Sequence, residues 1–155
     1  MPTATSCSWG SMDFEQKPMM STGQLLESTA KAVQTLCGVR VLIVDDNPEV
    51  LLLASRMVHY LGCQTTTAED ALMALYYLRK GRFDVVISDY DMPFMDGYEL
   101  ADQIKETYFG TKVIMMTCHC EADVMDMIRE SNIVDGLLLK PFNMQAIQKT
   151  IENAL

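Results

Sequence analysis

Four short apolar runs, separated by helical patterns, predict an α/β domain built on a doubly wound, five-stranded parallel sheet. The runs are Val41–Val44, Val85–Ile87, Val113–Met116 and Leu137–Leu139. Three of them read as continuous aliphatic stretches, as expected of strands buried on both faces. Each run also leads to a polar residue: Asp45 and Asp46, Asp89 after Ser88, Thr117, and Lys140. In an open parallel sheet, ligands bind beyond the carboxyl ends of the strands. These endings are therefore expected to meet at one site.

The elements follow in order. A strand over 40–44 leads to a helix from Pro48 to about Leu61. Pro48 suits a first helical turn, where its missing donor is not needed. Gln64–Ala68 reads as a short Thr-rich strand, Glu69–Lys80 as a helix and Phe83–Ser88 as the central strand. Met92-Pro93-Phe94-Met95-Asp96-Gly97 is rich in turn residues and precedes a helix over Tyr98–Tyr108. Lys112–Met116, Glu121–Ser131, Gly136–Leu139 and Asn143–Leu155 complete the alternation, and no internal repeat is present. This domain is expected over 39–155.

An extension over 1–38 precedes it. Met1 to about Met20 is rich in Ser, Thr, Pro and Met, has no periodicity, and reads as disordered. From Ser21 or Thr22 a helix is expected to Cys37. Leu25, Leu26, Ala30, Val33 and Leu36 form its apolar face, and Gly38 suits its end. So short a helix is not stable alone in water. It is expected to pack either on a second copy, as a homodimer contact, or on its own domain.

Composition narrows the function classes. Apolar residues make up 49% of the chain, enough for a substantial core, and the formal net charge of −9 disfavours nucleic acid and anionic membranes as partners. No apolar run approaches the ~18 residues of a membrane span, and no signal peptide is evident. The five cysteines, Cys7, Cys37, Cys63, Cys118 and Cys120, are odd in number and lack framework spacing. Free thiols and a cytoplasmic location are expected.

The strand endings suggest a chemistry. Adjacent carboxylates such as Asp45 and Asp46 repel unless a cation neutralises them. Mg²⁺, a hard ion that prefers oxygen, is the candidate. Taken alone, the pair could equally be an acidic turn or a cap for the helix at Pro48. Asp89 is a carboxylate able to attack phosphorus. Thr117 can donate to a phosphoryl oxygen, and Lys140 can neutralise its charge. Separately, Thr117 reads as a helix cap and Lys140 as a surface lysine. Together, the four endings suit metal-assisted transfer of a phosphoryl group onto an aspartate. Cys118-His119-Cys120 lacks the spacing of structural zinc sites, and Met125 and Met127 read as core and partner surface.

The motifs Val44-Asp45-Asp46-Asn47, Asp89-Tyr90-Asp91-Met92-Pro93 with Asp96-Gly97, Thr117, and Lys140-Pro141-Phe142 closely resemble the receiver domain of two-component response regulators. The resemblance runs from about Arg40 to Leu155. It implies a flavodoxin-like sheet of order 2-1-3-4-5 and a stand-alone receiver of the chemotaxis or sporulation-relay type. It further implies Asp89 as phospho-acceptor, with Mg²⁺ held by Asp46, Asp89 and the Asp91 backbone carbonyl, and with Asp45 acting through the acidic pair. Thr117 is implied as the switch hydroxyl and Lys140 as partner of the phosphoryl group or of Asp89. Asp91 and His119 are implied as residues that tune hydrolysis, and the bond before Pro141 as cis.

Two positions depart from the family pattern. Leu137 stands where many members carry Tyr or Phe, so an aromatic readout is ruled out there. Cys118 replaces the usual Ala or Gly beside the phosphoryl pocket. The resemblance implies a signalling domain rather than an enzyme, capable at most of self-phosphorylation from small donors and of autodephosphorylation. A histidine kinase or histidine phosphotransfer protein is the implied donor. Because the sequence stops after the last helix, output is expected through a downstream protein, either as a diffusible regulator or as a phosphorelay intermediate. A receiver-like scaffold that has lost switching is one alternative. A haloacid-dehalogenase-type phosphatase is another, but its acidic pair would follow the nucleophile rather than precede it.

Overall fold

The computed structural model describes residues 21–24, 27, 36–118, 126 and 128–155. Five strands alternate with helices: β1 (Arg40–Val44), α1 (Pro48–Tyr60), β2 (Gln64–Ala68), α2 (Ala71–Lys80), β3 (Val85–Asp89), α3 (Gly97–Thr107), β4 (Lys112–Thr117), β5 (Gly136–Leu139) and α4 (Met144–Ala154). Residues 128–130 are helical and precede β5. The sheet is parallel throughout, in the order β2-β1-β3-β4-β5. Fold class, strand order and all five strands agree with the sequence reading.

Alternate residues of each strand face opposite layers. Val41, Ile43, Val85, Ile87, Ile114 and Met116 pack with α1 and α4 through Leu51, Val58, Ile147 and Ile151. Leu42, Val44, Val86, Val113 and Met115 pack with α2 and α3 through Ala74, Leu78, Leu100 and Ile104. Both faces are covered, which is why β1, β3 and β4 carry no alternating polar residues.

Element ends differ from the sequence reading by one or two residues, for local reasons. Asp70 is extended and accepts a hydrogen bond from Met73 N, so it caps α2 and the helix starts at Ala71. Asp96 and Glu99 form a reciprocal capping box, so α3 starts at Gly97 rather than Tyr98. The Asp84 carboxylate accepts from the Arg40 backbone and guanidinium, and β3 begins only at Val85.

The expected disorder before Met20, most of the helix expected over 21–37, and its dimer contact lie outside the described residues. So do His119, Cys120, Met125, Met127 and the first turn of the helix expected from Glu121. Leu36 is described and fully buried against the α1–α4 layer.

Candidate functional site

The carboxyl ends of β1, β3, β4 and β5 converge, as the strand endings imply. Asp45 directly follows β1, and its side chain is 1% exposed. Its Oδ1 accepts from Asn47 N at 2.8 Å, and Asn47 in turn caps α1 by accepting from Glu49 N. Asp45 thus braces the turn that leads into α1 and also lies in the strand-end cluster. Asp46 is exposed beside it. Asp89 closes β3 and is buried, and Thr117 closes β4 with no exposed surface.

Lys140 joins these ends. Its Nζ donates to Asp45 Oδ2 at 2.6 Å and to Asp89 Oδ1 at 2.8 Å. Its backbone N donates to Thr117 O at 2.9 Å, which aligns the end of β5 with that of β4. The Lys140–Pro141 bond is cis. One carboxylate oxygen from each of Asp45, Asp46 and Asp89 lies within 4.8 Å of the others. An all-oxygen, acidic donor set of this kind fits a hard divalent cation such as Mg²⁺.

The electrostatics follow from crowding. Burial pushes the Asp89 carboxyl above its ordinary range, and the charges of Asp45 and Asp91 add to the effect, while Lys140 opposes it. Burial disfavours the Lys140 ammonium, but its hydrogen bonds to Asp45 and Asp89 outweigh that and hold its pKa above the ordinary lysine value. One ammonium thus serves two buried carboxylates. It is held charged by both and neutralises neither fully.

The loop after Asp89 is fixed from both sides. Tyr90 N donates to Met116 O, and Gly97 N donates to Tyr90 O. A Cβ at Gly97 would lie 2.0 Å from Asp89 O and 2.8 Å from Met115 Sδ, so only glycine fits. Asp91 is exposed beside the site, as is Cys118. Leu137 pairs with Met115 and packs, half-buried, into the layer shared with α2 and α3.

Sequence reasoning missed two contacts. It paired Lys140 with Asp89 or a phosphoryl group, but not with Asp45, which lies 95 residues away. It also missed the close approach of Gly97 to the Asp89 carbonyl. The Asp-Gly step that starts α3 was the available signal.

This fold and this cluster together define a receiver domain of two-component signal transduction. Residues 41–152 match the response regulator receiver domain family, and the chain belongs to it. It is 36% identical over 126 residues to the sensor histidine kinase RcsC of Escherichia coli, covering 81% of this chain but 13% of that protein. It is 34% identical over 118 residues to sporulation initiation phosphotransferase F of Bacillus subtilis, covering 75% of this chain and 93% of that one. The chemotaxis response regulator CheY4 of Vibrio cholerae superposes with a TM-score of 0.70 at 32% identity, over 76% of this chain and 99% of the other.

Proposed function

We propose that Asp89 accepts a phosphoryl group from the phosphohistidine of a kinase or phosphotransfer protein, and that the change alters the chain's contacts with a downstream protein. The observation that carries this reading is the Lys140 ammonium set between Asp45 and Asp89, at the convergence of four strand ends. In the transfer, an Asp89 oxygen bonds to phosphorus while the bond from phosphorus to the donor imidazole breaks. Lys140 holds Asp89 Oδ1, leaving Oδ2 as the attacking oxygen.

Asp46, Asp89 and the Asp91 carbonyl would hold Mg²⁺, which when bound neutralises carboxylate and phosphoryl charge. Both oxygens of Asp45 already accept hydrogen bonds, from Asn47 and Lys140. This supports an indirect role for Asp45, whereas Asp46 is exposed. Thr117 serves as the switch hydroxyl and Lys140 as partner of the phosphoryl group. Asp91 and, by its place in the sequence, His119 are the residues assigned to tune the lifetime of the acyl phosphate. Leu137 removes any aromatic readout on β5, so the Thr117 movement is read through aliphatic packing. Cys118 narrows access to the phosphoryl pocket.

The test is intact-mass labelling with acetyl phosphate. One Mg²⁺-dependent phosphoryl group is expected on the wild type and none on Asp89→Asn. A folded wild type that neither labels nor binds beryllofluoride would overturn the assignment.

A further inference from the structure

A cleft of about 450 Å³ opens at the amino-terminal ends of the strands, opposite the acidic cluster. Its walls include Arg40 at the start of β1, Arg82, Phe83 and Asp84 before β3, and Tyr108 and Phe109 after α3. Phe109 is 89% exposed, although it is a large apolar ring. Arg40 and Asp84 pair and neutralise each other. Arg82 is exposed and pairs with no carboxylate among the described residues. Arg79 and Lys80 complement the carbonyl end of α2, but Arg82 lies beyond that helix and is not explained by it. The cleft thus offers exposed aromatic surface and a surplus cation, on a chain of net charge −9. Its complement is an aromatic residue flanked by carboxylates.

The chain contains such a segment. Trp9-Gly10-Ser11-Met12-Asp13-Phe14-Glu15 holds two aromatic rings, with a carboxylate on each side of Phe14. The chain also enters the domain at the same end as the cleft. Leu36 is buried, Gly38 N donates to Gly62 O, and β1 begins at Arg40, itself a wall of the cleft. Residues 22–24 and 27 are helical, and a stretch the length of 16–35 spans about 30 Å as a helix, which matches the width of a small domain. The tether raises the effective concentration, so modest contacts suffice.

We propose that this cleft is a docking site for the chain's own Trp9–Glu15 segment, with the Asp13 and Glu15 carboxylates at Arg82 and the rings against Phe83 and Phe109. Docking places the extension at the end of the sheet remote from Asp89, where it leaves the carboxyl-end site open. The assignment does not depend on phosphorylation.

Trp9 is the only tryptophan in the chain, so its fluorescence reports docking directly. The full chain is measured alone, as Arg82→Glu, as Phe109→Ala, and as Arg82→Glu combined with Glu15→Arg. Both cleft positions are exposed, and circular dichroism of each variant checks whether the fold is kept. Wild type is expected to show blue-shifted emission and acrylamide quenching several-fold weaker than that of free N-acetyltryptophanamide. Each single cleft variant should raise quenching several-fold, and the charge swap should restore shielding. Wild-type quenching equal to the free amide overturns the proposal. So does shielding that neither cleft variant changes. Shielding lost on dilution would assign the occupant to a second copy and overturn the intramolecular assignment.

Discussion

The Asp89 carboxylate sits in a buried position with Asp45 and Asp91 nearby, and the ammonium of Lys140 donates to it. Its environment favours the neutral acid, chiefly through burial, so its folded-state pKa lies above the unfolded value. For an acid shifted upward, ionisation at neutral pH lowers stability, and stability is regained as the pH falls through the folded-state pKa. Asp89→Asn mimics the neutral acid. With a chelator present, the variant is expected to be more stable than wild type at pH 7 in urea denaturation, and the gap should close on acidification. A variant less stable than wild type at pH 7 would contradict this. On the proposed reading, the burial and charge crowding that cost stability here would be relieved by a cation and a phosphoryl group, a trade common at functional sites.

Elements carry the next level of control. Gly97 starts α3 against the carbonyl of Asp89, so Gly97→Ala forces a backbone clash rather than a side-chain adjustment. It is expected to cost about 3 kcal/mol in denaturant unfolding and to lower the rate of labelling by acetyl phosphate. At the far end of α3, Asp135 accepts from Lys105, Lys112 and the backbone N of Val113, tying α3 and β4 to the segment entering β5. Burial raises the Asp135 pKa, but these partners together hold it below the ordinary range. Its contribution is therefore present above the unfolded value of about 3.9 and lost as the pH falls through the folded-state pKa. Asp135→Asn is expected to cost about 1–2 kcal/mol at pH 7. That difference should shrink below about pH 4.

The elements also divide by how well their residues announced them. β1, β3 and β4 were legible because strands covered on both faces must be aliphatic throughout. β2 was legible only through its threonines, since an edge strand with the pattern Gln64–Ala68 has no apolar run. Helix starts were misjudged at Asp70 and Asp96, where the capping side chain, not the apolar period, sets the first turn. Asp135 drew no notice because its three partners come from a helix, a strand end and a backbone amide that are separated in sequence.

At the scale of the whole molecule, the order β2-β1-β3-β4-β5 brings Asp45, Asp89, Thr117 and Lys140 to one rim although they span most of the domain. The identity of that set was legible from matching strand ends and from the family's motifs. The Asp45–Lys140 pair was not, because a contact across 95 residues leaves no local pattern to find.

The opposite rim has its own consequence. The helices run antiparallel to the strands, so α4 finishes at the end where β1 begins, and Leu36 and Ala154 share one packed layer. The start of β1 and the end of α4 thus border one packed layer, on the side away from Asp89. A unit wired in this way can be spliced between other modules like a bead with both threads on one side. Its sheet need not stretch, and its reactive face stays unobstructed. That geometry is compatible with matching stretches that make up 13% of a sensor kinase and 93% of a sporulation phosphotransferase.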